Sequence, residues 1–68
     1  MEKKTKLKIV LFERGIKHRW LAEQAGIKEQ TISDIVNGKR RPTLDNALKI
    51  AKALGVSVEE LFGEENGE

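Results

Sequence analysis

Apolar residues recur at helical spacing in five short stretches. No run of four or more residues alternates with the period of two that a half-buried strand requires, so the chain reads as all-α. The first predicted helix, residues 4–14, turns Leu7, Val10 and Leu11 inward; Gly15 caps it and Ile16 plugs the core behind it. The second, residues 18–25, buries Leu21, Ala22 and Ala25 and ends at Gly26, which supplies the positive φ of a tight turn closed by Ile27. The third, residues 29–36, buries Ile32 and Ile35 and stops at Asn37-Gly38, two residues that tolerate left-handed geometry.

A basic loop, Lys39-Arg40-Arg41-Pro42, precedes the clearest amphipathic segment. There Thr43 caps a helix over residues 43–54, and Leu44, Ala47, Leu48, Ala51 and Leu54 form one stripe ended by Gly55. Ser57 and Glu60 make a capping box with Val56 and Leu61 in the staple positions, so a short fifth helix over residues 57–62 runs up to Gly63. Connections of about two to six residues leave no interdomain linker. Residues 1–63 are expected to fold as one unit, with 64–68 as an acidic, disordered tail.

Composition narrows the function classes. With 68 residues and no cysteine, the chain has one small core and neither a disulfide framework nor a thiolate metal site, so helix packing must supply its stability. A catalytic cleft with its own substrate domain does not fit this length, and no enzyme activity or cofactor is expected. No apolar stretch approaches the roughly 18 residues of a membrane span, and Met-Glu-Lys-Lys lacks the apolar core of a signal peptide, so a cytoplasmic location is expected. The net charge of +2 hides an asymmetry: residues 1–41 carry +6 and residues 42–68 carry −4. A basic half raises the prospect of a nucleic-acid partner but needs a motif behind it.

That motif lies in the second and third helices. Two short helices joined by a turn at Gly26 place Ala22, Gly26, Ile32 and Ile35 at helix-turn-helix offsets. Ala22 is small where the third helix crosses, and the two isoleucines pin that helix down. The face left outside carries Lys28, Glu29, Gln30, Ser33 and Asp34, with Thr31 partly turned toward the second helix.

Here the sequence resembles the Cro-like phage-repressor family, also called the XRE family of bacterial regulators. The resemblance is carried by residues 20–27 (WLAEQAGI), 30–33 (QTIS), 37–42 (NGKRRP) and 48–56 (LKIAKALGV), and it runs over 7–62. It implies a compact five-helix, lambda-repressor-like DNA-binding domain. In such a domain Lys28, Glu29, Gln30, Ser33 and Asp34 approach bases, and Gln30 leads because a glutamine amide pairs bidentately with adenine. It further implies phosphate contacts from His18, Asn37, Lys39 and Arg40, which position the domain without reading sequence, and Lys17, Thr31, Arg41 and Thr43 beside them are expected to join these contacts. The free amides at the starts of the second and fourth helices add to these.

Three features depart from that family's pattern. Lys17 and Lys28 stand where most relatives keep Ser or Thr caps; each forgoes about 1 kcal/mol of capping and opposes the helix dipole. Breaks of this kind belong to functional sites, so both lysines read as DNA contacts. Thirdly, apolar Leu11 faces apolar Val36 where many relatives keep an ion pair, a replacement that is often neutral or stabilising.

Plainer readings stand beside these. His18 has no second histidine or cysteine with which to bind a metal, and no metal site is expected. Trp20 is expected to pack against the first helix rather than stack on a base. Lys39-Arg40-Arg41 reads as a phosphate anchor or as a solvated loop. Val58, Leu61 and Phe62 read as core or as a two-fold dimer contact. The resulting expectation is a regulator, a repressor, that binds double-stranded DNA at a palindromic operator as a homodimer, without a small-molecule ligand or membrane. The alternative is a protein-interaction module of the same fold, an antitoxin or regulator-binding protein, supported by the acidic Glu29 and Asp34.

Overall fold

Local capping chemistry starts three of the helices. In the computed structural model, which describes residues 5–63, the chain forms α1 (Lys6–Arg14), α2 (His18–Ala25), α3 (Glu29–Val36), α4 (Leu44–Leu54) and α5 (Val58–Phe62). Five helices and no strand are present among the described residues. Thr5, Thr43 and Ser57 each accept the backbone N–H three residues on, from Lys8, Asn46 and Glu60, and Ser57 and Glu60 complete the expected capping box. The start expected at residue 4 and the tail at 64–68 lie outside the described residues.

The core is built from Leu7, Leu11, Leu21, Ala22, Ala25, Ile32, Ile35, Val36, Ile50, Ala51, Leu54 and Leu61, none more than 8% exposed. Each fully buried Leu or Ile contributes on the order of 1.5–3 kcal/mol through water release. α2 sits at the centre, packed on α3 and α4, while α5 joins α1 to α4. Leu11 and Val36 are both core residues, at 3% and 1% exposure. Val10, Ile16, Ile27, Val56, Val58 and Phe62 pack half-buried against this cluster.

Two hydrogen bonds from opposite ends of α1 span long stretches of sequence. The Thr5 hydroxyl, besides capping α1, donates to the Val36 carbonyl at the end of α3 (2.9 Å). The Arg14 guanidinium donates to the Leu54 carbonyl at the end of α4 (2.9 Å). A cation on the last carbonyls of a helix also meets the negative end of its dipole.

One packing expectation is corrected. Leu44 and Leu48, assigned to the inward stripe of α4, are 73% and 52% exposed, and Ile50, outside that stripe, is fully buried. The apolar arc of α4 is wider than the face its neighbours cover, and the covered side is centred on Ala47, Ile50, Ala51 and Leu54. Trp20 lies on the outer side of α2, next to the residues that follow α1. It is 44% exposed and borders a shallow depression with Gly15, Ile16 and Lys17.

Candidate nucleic-acid interface

The turn between α2 and α3 is set by one glycine. Gly26 adopts φ 70°, a left-handed geometry in which a Cβ is costly, and this lets the Ile27 N–H return to the Ala22 carbonyl (3.0 Å). Ala22 is 6% exposed at the crossing, and Ile32 and Ile35 are 0% and 3% exposed beneath α3. With those two pinned, helical geometry leaves Lys28, Glu29 and Gln30 exposed and Thr31, Ser33 and Asp34 half-buried along the rim.

The N-termini of these two helices differ from the other three. Lys17 and Lys28 occupy the N-cap positions of α2 and α3 in extended backbone, both exposed, and neither side chain makes a capping hydrogen bond. The first-turn amides therefore lack the side-chain acceptor that α1, α4 and α5 possess. His18, the first residue of α2, is half-buried, and its Nδ1 lies 2.9 Å from Ser33 Oγ, bridging the two helices. This contact was not readable from sequence, because it depends on the angle at which α3 crosses α2.

Beyond α3 the chain doubles back. Gly38 takes φ 77° and donates its N–H to the Ile35 carbonyl, and the Lys39 and Arg40 N–H groups both reach the Asp34 carbonyl (2.8 and 3.3 Å). The 6→1 and 5→2 bonds are those of a Schellman cap. Asn37, at φ −87°, is not left-handed, so Gly38 alone makes the reversal. The reversal returns the Arg40 guanidinium to Asp34, with Nη2 3.6 Å from Oδ2, while Gln30 Nε2 donates to Asp34 Oδ1 (3.1 Å). The i, i+4 spacing of Gln30 and Asp34 is a sequence signal for that second contact; the Arg40 contact has none.

Other expected contact residues are placed as follows. Asn37, Lys39, Arg40 and Arg41 are exposed on the loop after α3. Thr43 is exposed, and its hydroxyl oxygen is engaged by Asn46 N–H (3.1 Å). Leu61 is 1% exposed and belongs to the core, while Val58 and Phe62 remain half-buried. No group of three or more metal-ligating side chains occurs among the described residues, and no helix there is long and apolar enough to cross a membrane.

The model of the helix-turn-helix family matches residues 7–61. The chain belongs to this family. It is an XRE-type family of DNA-binding transcriptional regulators, not a family of enzymes. Among relatives, an uncharacterized helix-turn-helix-type transcriptional regulator of Methanocaldococcus jannaschii is 40% identical over 65 residues, covering 96% of this chain and 98% of that protein. The replication factor C small subunit of Thermococcus kodakarensis is 40% identical over 47 residues, 69% of this chain but only 5% of that protein. Among solved structures, the restriction-modification controller protein C.AhdI of Aeromonas hydrophila superposes with a TM-score of 0.78 at 30% identity, covering 84% of this chain and 86% of that one. The all-helical helix-turn-helix architecture expected from the sequence is thus the observed one.

Proposed function

We propose that this helix-turn-helix protein is a cytoplasmic, sequence-specific repressor that reads the DNA major groove with α3 and occupies a palindromic operator as a homodimer. The observation that carries the reading is the continuity of three features. These are a pinned α3 with Lys28, Glu29, Gln30, Ser33 and Asp34 on its outer side, a basic loop directly after it, and an uncapped α2 start at Lys17 and His18. Gln30 is the principal base reader. Lys17, His18, Thr31, Asn37, Lys39, Arg40, Arg41 and Thr43 hold the phosphates on either side.

Two copies are to sit about one turn of DNA apart, through a contact that uses Val58 and Phe62 at the α5 end, with Leu61 supporting them from the core. The descriptions of the M. jannaschii regulator and of the C.AhdI controller support a regulatory role. Residues 1–63 form the DNA-binding unit in this reading. Repression follows from occupancy of a promoter.

The test is selection of binding sites from random duplexes, followed by gel shifts across salt concentration. Lys17, Lys39, Arg40 and Arg41 in two protomers displace about seven counterions, so log affinity falls against log salt with a slope near −7. An affinity that barely changes with salt refutes the reading. The competing reading, a protein-interaction module of the same fold, draws on Phe12 and Ile9, which stand 86% and 42% exposed on α1. It predicts that flat salt response.

A further inference from the structure

The Gln30–Asp34–Arg40 chain is more specific than a general reading face requires. A carboxylate is acceptor-only, so the Gln30 amide must turn its Nε2 group toward Asp34 Oδ1, 3.1 Å away. One Nε2 hydrogen is consumed there. The second N–H and the Oε1 acceptor are left for another partner, in a fixed order. Asp34 is itself held on its other oxygen by Arg40 Nη2 at 3.6 Å, with side-chain exposures of 21% for Asp34 and 55% for Arg40. The Schellman reversal at Gly38 sets that contact, since both the Lys39 and Arg40 amides close on the Asp34 carbonyl.

We propose that Asp34 is a positioning residue which fixes the amide orientation of Gln30, with Arg40 as its clamp, and that this orientation makes adenine the base Gln30 selects. The proposal rests on α3 being the reading helix. The free Oε1 and N–H match the adenine N6 donor and N7 acceptor. Guanine offers two acceptors, N7 and O6, at those places, and an amide that has already given one Nε2 hydrogen to Asp34 has a single donor left for them. Arg40 also neutralises a carboxylate that would otherwise repel phosphates on this face. Asp34 therefore acts through Gln30 instead of reading a base itself.

The experiment uses the full chain and an operator obtained by selection. Each base pair is varied in turn, and competition binding is measured for wild type, Gln30→Ala, Asp34→Ala, Asp34→Asn and the Gln30→Ala/Asp34→Ala double variant. Thermal melts check that each is folded. Gln30→Ala is expected to lower discrimination about tenfold at one adenine-containing base pair, and Asp34→Ala to relax that same pair by about three- to tenfold. The double variant is expected to be no worse than Gln30→Ala, since the two residues act as a unit. Asp34→Asn presents a donor as well as an acceptor to the Gln30 amide and has one oxygen where Asp34 has two, so it no longer fixes the amide's orientation and should relax the same base pair, by no more than Asp34→Ala does.

If Asp34→Ala tightens binding to every sequence with discrimination intact, Asp34 is only a repulsive charge and the proposal fails. It also fails if Asp34→Ala relaxes a different base pair, if the two losses add, or if Asp34→Asn keeps the full discrimination of wild type. If Gln30→Ala alters no base pair, or selection yields no preferred operator, the assignment of α3 as reading helix fails first. That outcome is distinct from a failure of positioning alone.

Discussion

Replacing Lys17 by Ser tests whether α2 forgoes stability in order to meet DNA. The N-cap residue of α2 has φ −87° and ψ 151°, close to the −80° and 160° of Thr5, the −72° and 166° of Thr43 and the −84° and 157° of Ser57. A serine at position 17 can therefore accept the Trp20 N–H without backbone movement, as its counterparts accept the N–H three residues on. The new cap contributes about 1 kcal/mol, and removing a cation from the positive end of the dipole adds about 0.5 kcal/mol. For a two-state domain of this size the combined gain of about 1.5 kcal/mol raises Tm by roughly 6–12 °C. Circular-dichroism melting measures it.

The same variant removes one cation per protomer from the phosphate contacts, so the salt slope of operator binding becomes shallower by about two for a dimer. Fluorescence anisotropy across salt reads that change. An unchanged or lowered Tm would show that the α2 amides are already satisfied. A higher Tm with an unchanged slope would remove Lys17 from the DNA contacts. The expected result is the combination of a more stable protein and a less salt-sensitive complex.

Three further variants probe the framework. Thr5→Val removes both the cap of α1 and the donor to Val36, and should cost about 1–3 kcal/mol in urea denaturation; a cost below about 0.5 kcal/mol would make the bridge incidental. Ile32→Ala opens a cavity under a fully buried position and should cost about 2–5 kcal/mol by the same measurement, enough to unfold a marginal domain. Gly38→Ala meets no severe clash, since its Cβ would lie 3.7 Å from Thr5 Cγ2, so its cost of about 1–2 kcal/mol comes from the left-handed φ alone. Gly38→Asn should recover part of that cost, and equal losses for Ala and Asn would contradict the conformational argument.

The sequence made some levels of this structure legible and left others closed. Local signals succeeded at Thr43 and Ser57, which begin helices as expected, and the spacing of Leu21, Ala22, Ala25, Ile32 and Ile35 set the buried sides of α2 and α3; Thr5, the cap of α1, falls inside the helix expected from residue 4. Periodicity gave α4 an apolar arc but not the part of it that is covered, because that depends on where α2 and α5 lie. Leu44 and Leu48 were placed inside for this reason and Ile50 was omitted. At the candidate site, residue types and their outward direction could be read from helix geometry. The pairing of His18 with Ser33 and the return of Arg40 to Asp34 could not, since both arise from crossing and reversal angles set by tertiary packing.

The Thr5 bridge also bears on how this protein should be handled. Its hydroxyl holds the beginning of the described chain against the end of α3, and its methyl sits near Gly38 at the start of the basic loop. An affinity tag or fluorescent fusion placed just ahead of Thr5 would therefore emerge beside the surface assigned to DNA. A label joined after α5 leaves that corner untouched but stands beside Val58 and Phe62, the surface assigned to the second copy, so each end of the domain perturbs a different contact and a binding assay should compare both.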